Sequence, residues 1–415
     1  MTQPIPRRTF LLQCGCFAAL AAGCAGQSPL TGQLSQGLGA GIGIGEALLK
    51  KPNFTDEDEA RLAQANAQKF EAKNAIWKDP LLDAYVTEVS QKLVAVAHPR
   101  PFPYRVRVVS EATVNAFTFG GGLLYFYAGL IARMENEAQL AMVMAHETAH
   151  VTERHIPRGI ERAYGIQLLG QLAVTAGSVT GTLPIQGAAL EKTYEYTMNA
   201  AINGHGRGLE TEADEIGLEY MVKAGYDPRE APHIFEALLK EYGDQAPLVN
   251  FFYGNHPASV ERIERTTALV KTKYAGEVAS RRLAVNTEEF KRRTRQVVIA
   301  VGRLDYEGKR FNTATAMFQK AIRAYEGDPV PHYYLGKIAQ ETGAGAAIDR
   351  AIGHFNDAIK ADQDYAPAYR ELGLAYYRKN EHQKAIQALE RYLALDPRAK
   401  DAQEIRRSIT ELKRY

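Results

Sequence analysis

The C-terminal third of the sequence is built on a repeat of 34 to 37 residues, and this feature restricts its fold most strongly. Each of three units carries a glycine, an alanine, a large apolar residue and a second small or apolar residue at matching positions. The aligned residues are Gly302, Ala314, Phe318 and Ala321; Gly336, Ala351, Phe355 and Ala358; and Gly373, Ala385, Leu389 and Tyr392. Small residues let paired helices approach closely, and the large ones fill the gap between them. The pattern therefore predicts three helical hairpins stacked as a solenoid.

The repeat resembles the tetratricopeptide repeat, whose pattern Leu372, Gly373 and Pro397 match best. The three units and a polar closing helix occupy residues 296–415, and the closing helix is predicted over Ala402 to Lys413. The resemblance implies an all-α solenoid that recruits a protein partner.

A second constraint comes from residues 142–157, which read MVMAHETAHVTERHIP. His146 and His150 are four residues apart, so on a helix both imidazoles project from one face and can share one ion. Two nitrogen ligands and an open coordination position suit zinc. Glu147 is adjacent to the first ligand, where its carboxylate can act as general base toward water without binding the ion. The motif predicts a catalytic metal site.

His155 is the nearest candidate for a third ligand, but helical geometry argues against it. It follows His150 by five residues, which turns it well over 90° away on a helix that continues to Pro157. We therefore expect His155 to be a surface or second-layer residue.

A second, acid-rich helix is predicted around Leu209 to Ala224. Glu210 and Asp214 are four residues apart and share a face, whereas Glu212 points roughly the other way. One carboxylate can bind the metal while the other accepts the outer N–H of a ligand histidine. This predicts that Glu210 is the third metal ligand and that Asp214 accepts a hydrogen bond from a ligand histidine. His205, in a loop, is the alternative third ligand.

The region before the motif combines helices with a small sheet. Helical periodicity covers Phe54 to about Ala97, and alternation over Tyr104 to Val109 predicts a strand. The segments 114–119 and 123–127 flank three glycines, which predicts a hairpin.

The two site motifs, His146-Glu147-x-x-His150 and Arg207-x-x-Glu210-x-Glu212-Ala213-Asp214, together resemble a family of integral-membrane and periplasmic zinc metalloproteases. That family includes the CAAX prenyl endoprotease, the bacterial heat-shock membrane protease and the periplasmic protease that assists outer-membrane barrel assembly. The resemblance implies an α+β zincin-type metallopeptidase domain, mostly helical with a small sheet, at residues 53–272. It also implies one Zn²⁺ per chain, and a connecting helix at 273–295 then leads to the all-α tetratricopeptide solenoid.

The same resemblance assigns roles to four further residues. His256 and Arg262 match a pair that lies beside the metal in the family: Arg262 would steady the oxyanion of the tetrahedral intermediate, as a fixed cation can. His256 would donate there too, or bind zinc as a latent fourth ligand. Asn115 and Ala116 would lie on the strand that holds the peptide substrate.

The N-terminus reads as an export signal. Arg7-Arg8 followed by Phe-Leu resembles a twin-arginine signal, and the small residues before Cys24 resemble the lipobox of bacterial lipoproteins. We expect a signal segment at 1–24, lipidation of Cys24 and a glycine-rich tether at 25–52. Ordinary secretion with cleavage near Ala21 to Ala25 is the alternative. The protein would then be exported to the periplasmic side and anchored in the outer rather than the inner membrane.

The formal net charge of +2 gives no reason to expect nucleic acid as a partner. The sequence therefore predicts a zinc-dependent endopeptidase of the bacterial envelope that acts in quality control on unfolded or misassembled proteins. Its repeats would bind an envelope protein, such as the outer-membrane assembly machinery. The alternative is an assembly chaperone or scaffold that works through the repeats while its metal site stays latent.

Overall fold

The computed structural model of this chain describes residues 54–162, 206–242, 260–343 and 346–414. Several predicted features lie outside these ranges: the signal segment 1–24 with Cys24, the glycine-rich tether, His205 and His256. Within the described ranges, no helix combines the length and the apolar character needed to span a bilayer.

The N-terminal unit contains eight labelled helices and three strands in its described part. They are α1 (Asp56–Glu71), α2 (Pro80–Val94), β1 (Arg105–Val109), β2 (Ala116–Thr118), β3 (Leu123–Tyr127), α3 (Ala128–Ile131), α4 (Glu137–Thr152), α5 (Arg207–Lys223), α6 (Glu230–Tyr242), α7 (Val260–Thr272) and α8 (Ala275–Ser280). The helical region follows as α9 (Thr287–Glu307), α10 (Phe311–Ala324), α11 (Pro329–Thr342), α12 (Ala346–Ala361), α13 (Ala366–Arg378), α14 (His382–Leu395) and α15 (Ala402–Leu412).

The three strands form one small sheet in the order β1-β3-β2. β3 is central: it pairs in parallel with β1 and antiparallel with β2. The turn between β2 and β3 contains Gly120, Gly121 and Gly122, whose φ angles are 80°, 57° and 77°. Only glycine adopts this left-handed backbone without strain, so the turn explains the glycine run. The hairpin prediction is confirmed, with a shorter first strand than predicted.

α4 lies in the centre of the N-terminal unit, and every one of its residues is buried. Asn136 caps its start by accepting a hydrogen bond from the backbone N–H of Gln139 at 3.0 Å. The predicted continuation to Pro157 is wrong, because the helix ends at Thr152 and Arg154 has a φ of 57°. Residues 155–162 form a separate helical segment, and Pro157 lies in its first turn, where proline is tolerated.

α4 and α5 cross in close contact at Gly217. A Cβ atom at this position would lie 2.9 Å from the backbone nitrogen of His146 and 3.2 Å from the carbonyl carbon of Ala145. These distances are shorter than ordinary van der Waals contact, so the crossing requires glycine. Gly217 therefore sets how closely α5 approaches the first predicted metal ligand.

The helical region consists of the three predicted hairpins, and the packing rule stated for them is confirmed. A Cβ on Gly302 would meet the ring of Phe318 at 2.8 Å, and one on Gly336 would meet Phe355 at 2.4 Å. Gly373 faces Leu389 in the same way, at 2.6 Å. The hairpins are α9–α10, α11–α12 and α13–α14, and α15 closes the last with Ile405, Ile409 and Leu412 buried against it.

The junction between the two regions is a shared core. α9 runs without interruption through position 295, where a connecting helix was predicted to give way to the repeats. Phe290 and Val297 on α9 and Met317 and Ala321 on α10 belong to the main hydrophobic core of the N-terminal unit. The ammonium group of Lys320, which is buried, also donates to the carbonyl of Met134 at 2.6 Å. The first hairpin is thus packed into the N-terminal unit.

Candidate metal centre

Three predicted ligands converge between α4 and α5. Nε2 of His146 lies 3.0 Å from Nε2 of His150 and 3.3 Å from Oε2 of Glu210. Nε2 of His150 lies 3.7 Å from Oε1 of the same carboxylate. All three side chains are buried. The helical spacing of the two histidines places both on the face toward α5, and the first turn of α5 brings Glu210 to them.

Behind His146 lies an acidic group held by two arginines. Oδ1 of Asp214 is 3.0 Å from Nδ1 of His146, on the ring edge opposite Nε2. Arg262 donates to both oxygens of Asp214, at 2.5 to 2.9 Å, and Arg265 donates to Oδ2 at 2.7 Å. The guanidinium of Arg262 also lies 4.2 Å from the ring centroid of Phe235. Asp214 is therefore fixed where it can accept the N–H of His146 and leave Nε2 with a free lone pair.

His150 has a corresponding support that the sequence did not predict. Nδ1 of His155, a fully buried residue, lies 2.7 Å from Nδ1 of His150. Nε2 of His155 lies 3.4 Å from Oε2 of Glu212, and Arg158 donates to that same oxygen at 2.9 Å. His155 can thus accept the N–H of His150 and direct its Nε2 toward Glu210. The sequence predicted that His155 lies either on the surface or in the layer behind a ligand, and the structure shows the second position. The Glu212 carboxylate faces the His155 ring.

The carboxylates of the cluster stabilise a positive charge at its centre. Burial and the Arg262 cation lower the pKa of His146, but the carboxylates of Asp214 and Glu210 outweigh them and raise it to about 9. Burial raises the pKa of Asp214, yet Arg262 and His146 bring it down to about 2. Burial lowers the pKa of His155 to about 3, so this imidazole is neutral and able to accept a hydrogen bond.

The donor set fits a zinc ion. Two imidazole nitrogens and one carboxylate oxygen are grouped within 4.8 Å of one another, and each imidazole is oriented by a partner at Nδ1. Three such ligands with an open position are characteristic of catalytic rather than structural zinc sites. The buried carboxylate at Glu210 would also be neutralised by a cation there.

The remaining predicted residues have the following positions. Glu147 is buried on α4, directly after His146. Asn115 is buried next to β2, and Ala116 is the first residue of that strand. The described contacts of Arg262 face Asp214 and the Nδ1 edge of His146, which favours a positioning role over contact with an oxyanion; the oxyanion role stays a prediction.

Arg265 and Gly217 were not singled out from the sequence, and His155 was considered only as a metal ligand. Arg265 could have been identified from its spacing, because it lies three residues after Arg262 and therefore on the same helix face. His155 was set aside on the assumption of a continuous α4. No residue-type pattern could have identified Gly217, because its importance depends on which helix crosses it.

Replacing His155 by phenylalanine is expected to weaken zinc binding about 10- to 100-fold, the usual cost of losing a group that orients a metal ligand. Phenylalanine fills the buried space but cannot accept the N–H of His150. Zinc affinity should be measured by competition with a chromophoric chelator. His98→Phe, at a half-exposed histidine on the protein surface, is the matched control. Equal affinities of wild type and His155→Phe would contradict the orienting role.

The comparisons with known proteins agree with this geometry. The model of Peptidase family M48 matches residues 80–270. A relative from Vibrio cholerae is 32% identical over 192 residues, which are 46% of this chain and 39% of that protein. The beta-barrel assembly-enhancing protease of Escherichia coli K12 is 30% identical over 213 residues, 49% of this chain and 42% of its own length.

A mitochondrial relative matches the same part of the chain. The mitochondrial metalloendopeptidase OMA1 of Schizosaccharomyces pombe is 29% identical over 182 residues, 44% of this chain and 51% of that protein. The chain thus spans about half or less of the length of these curated relatives.

The solved tetratricopeptide-repeat protein YrrB matches 52% of this chain at 14% identity with a TM-score of 0.25. Because this score is low, the repeat assignment rests on the helix pairs themselves. Residues 80–270 of this chain match Peptidase family M48 and are distantly related to the beta-barrel assembly-enhancing proteases and OMA1, and tetratricopeptide-like helical repeats follow them.

Proposed function

We propose that this protein is a zinc-dependent endopeptidase of the bacterial cell envelope that removes misfolded or stalled outer-membrane proteins. The observation that carries the proposal is the buried convergence of His146, His150 and Glu210, with Glu147 on the same helix as the two histidines. The E. coli and S. pombe relatives, a beta-barrel assembly-enhancing protease and a mitochondrial metalloendopeptidase, support the proposed reaction and substrate class.

In this proposal, His146, His150 and Glu210 hold the ion, which when bound lowers the pKa of water and polarises the scissile carbonyl. The Glu147 carboxylate takes a proton from the attacking water and delivers it to the leaving amine. Asp214 and His155 keep the two imidazoles oriented, and Arg262 keeps Asp214 ionised and in place. His256 remains a proposed oxyanion donor or latent ligand.

β2 is the proposed binding strand for the peptide. Within the described residues it is an edge of the sheet, since β3 pairs with it on one side only. An edge strand can pair with an extended peptide through backbone hydrogen bonds, which accommodates unfolded segments of varied sequence. The side-chain oxygen of Asn115 is buried and has no hydrogen-bond partner among the described residues, so it could accept one from the substrate.

The position of the enzyme in the cell is a further part of the proposal. A lipid on Cys24 would hold the chain at the periplasmic face of the outer membrane, and the tether would let the domain reach nascent barrels. The repeats would bind an envelope protein, for which the outer-membrane assembly machinery is the candidate. The three helical hairpins and the helix that packs on the last of them support this part of the proposal, since stacked helical repeats form extended concave surfaces that bind other proteins.

Removal of the metal tests the reaction. Treatment with a strong chelator should abolish cleavage of an unfolded outer-membrane β-barrel protein, and adding back one equivalent of Zn²⁺ should restore it. The same barrel, folded in detergent, is the control and should resist cleavage because its strands are already paired. Cleavage that persists in the metal-depleted enzyme would contradict the proposal.

A further inference from the structure

A second group of potential metal ligands lies in the middle repeat, away from the site described above. His332 is on α11, and His354 and Asp357 are on α12. One ligand atom from each of the three lies within 4.8 Å of those of the other two. His354 and Asp357 are three residues apart, so they share the helix face that is turned toward His332.

The two histidines have nitrogen atoms that need a partner. Nδ1 of His332 and Nδ1 of His354 are both shielded from solvent, and neither has a hydrogen-bond partner in the described part of the chain. Buried polar atoms in native proteins are nearly always paired, so two unpaired ring nitrogens in one cluster require an explanation.

The ligand types limit which ions fit. Calcium and magnesium prefer oxygen ligands throughout, whereas imidazole suits zinc, copper and nickel. Two imidazoles and a carboxylate on two antiparallel helices leave room for water to complete the coordination. Asp357 is exposed and His332 and His354 are half-buried, so an ion could enter from solvent.

We infer that His332, His354 and Asp357 form a binding site for a divalent transition-metal ion of the zinc type. The ion would connect α11 to α12, the two helices whose close approach Gly336 and Phe355 already require. The site is separate from the His146 cluster in chain position and in residues, and it does not depend on the proposed peptidase activity.

Metal counting tests the inference. The full chain and a His332→Gln/His354→Gln variant are stripped of metal, loaded with Zn²⁺ alone, freed of excess ion and analysed for bound zinc. We expect the variant to bind one equivalent less than the wild type. In a parallel titration with Co²⁺, the d–d absorption of the wild type should lose one component in the variant. Equal zinc content in the two proteins would overturn the inference.

Two further variants guard against effects on folding. Asp357→Asn changes an exposed residue and should weaken zinc binding at this site by about tenfold or more. The loss of a ligand should weaken metal binding at least as much as the loss of a residue that orients a ligand. His382→Gln, at a histidine of the next hairpin outside the cluster, should bind zinc like the wild type. Unchanged affinity in Asp357→Asn would count against the site even where the double variant fails to fold.

Discussion

Replacing Glu147 by glutamine is expected to reduce proteolysis by about 10²- to 10⁴-fold, the usual contribution of a general base. Glutamine has the same shape but cannot take a proton from water. Because the three ligand atoms of the metal cluster come from His146, His150 and Glu210 and none comes from Glu147, the variant should bind zinc with the same stoichiometry. The measurements are the cleavage rate of an unfolded β-barrel protein and the zinc content of the purified enzyme.

Glu153→Gln is the matched control. Glu153 is the first residue after the same helix, and its Oε1 lies 2.8 Å from Nδ1 of His98 instead of contacting the cluster. Its activity should equal that of the wild type. The Glu147→Gln variant also separates the peptidase from the scaffold alternative. In cells that lack the protein, the Glu147→Gln variant would restore a scaffold function as fully as the wild type does, but it would not restore a peptidase function.

Gly217→Val is expected to lower the free energy of unfolding by at least about 3 kcal/mol, above the usual cost of overpacking. The cost is high because the first added atom already meets backbone atoms of His146, at 2.9 and 3.0 Å, which no side-chain rotation can clear. α5 would have to move away from α4 and take Glu210 with it. Zinc affinity should therefore fall together with stability, as measured by urea denaturation and metal titration.

The control for this variant is Gly208→Val on the same helix, where an added Cβ meets no atom within 4 Å. Its effect on stability should stay within about 0.5 kcal/mol, as is usual for surface positions. If Gly217→Val were as stable as Gly208→Val, the close crossing of the two site helices would not be what holds the ligands together.

Much of this arrangement could be predicted from the sequence, because it depends on local periodicity. The spacing of His146 and His150 fixes a shared face on any helix, and the same rule pairs Glu210 with Asp214. The hairpins were predicted from the glycine and the large apolar residue that recur in each unit, because each unit repeats the packing of that glycine against a side chain such as Phe318 or Phe355.

What could not be predicted depends on contacts between distant segments or on a single backbone angle. The parallel pairing of β1 with β3 joins residues that no local pattern relates. The role of His155 was obscured by the left-handed residue Arg154, which ends α4 early and returns the next segment toward His150. The two arginines on Asp214 come from a helix 48 to 51 residues further along the chain.

The shared core at α9 and α10 has a consequence for modular exchange. Repeat arrays normally gain, lose or swap units freely, since each unit contacts only its neighbours. Here the first hairpin contributes Phe290, Val297, Met317 and Ala321 to the interior of the neighbouring domain, and Lys320 is bonded to Met134. A chimera that exchanges the repeats should therefore be joined after Ala324, because a junction at the start of α9 would expose that interior.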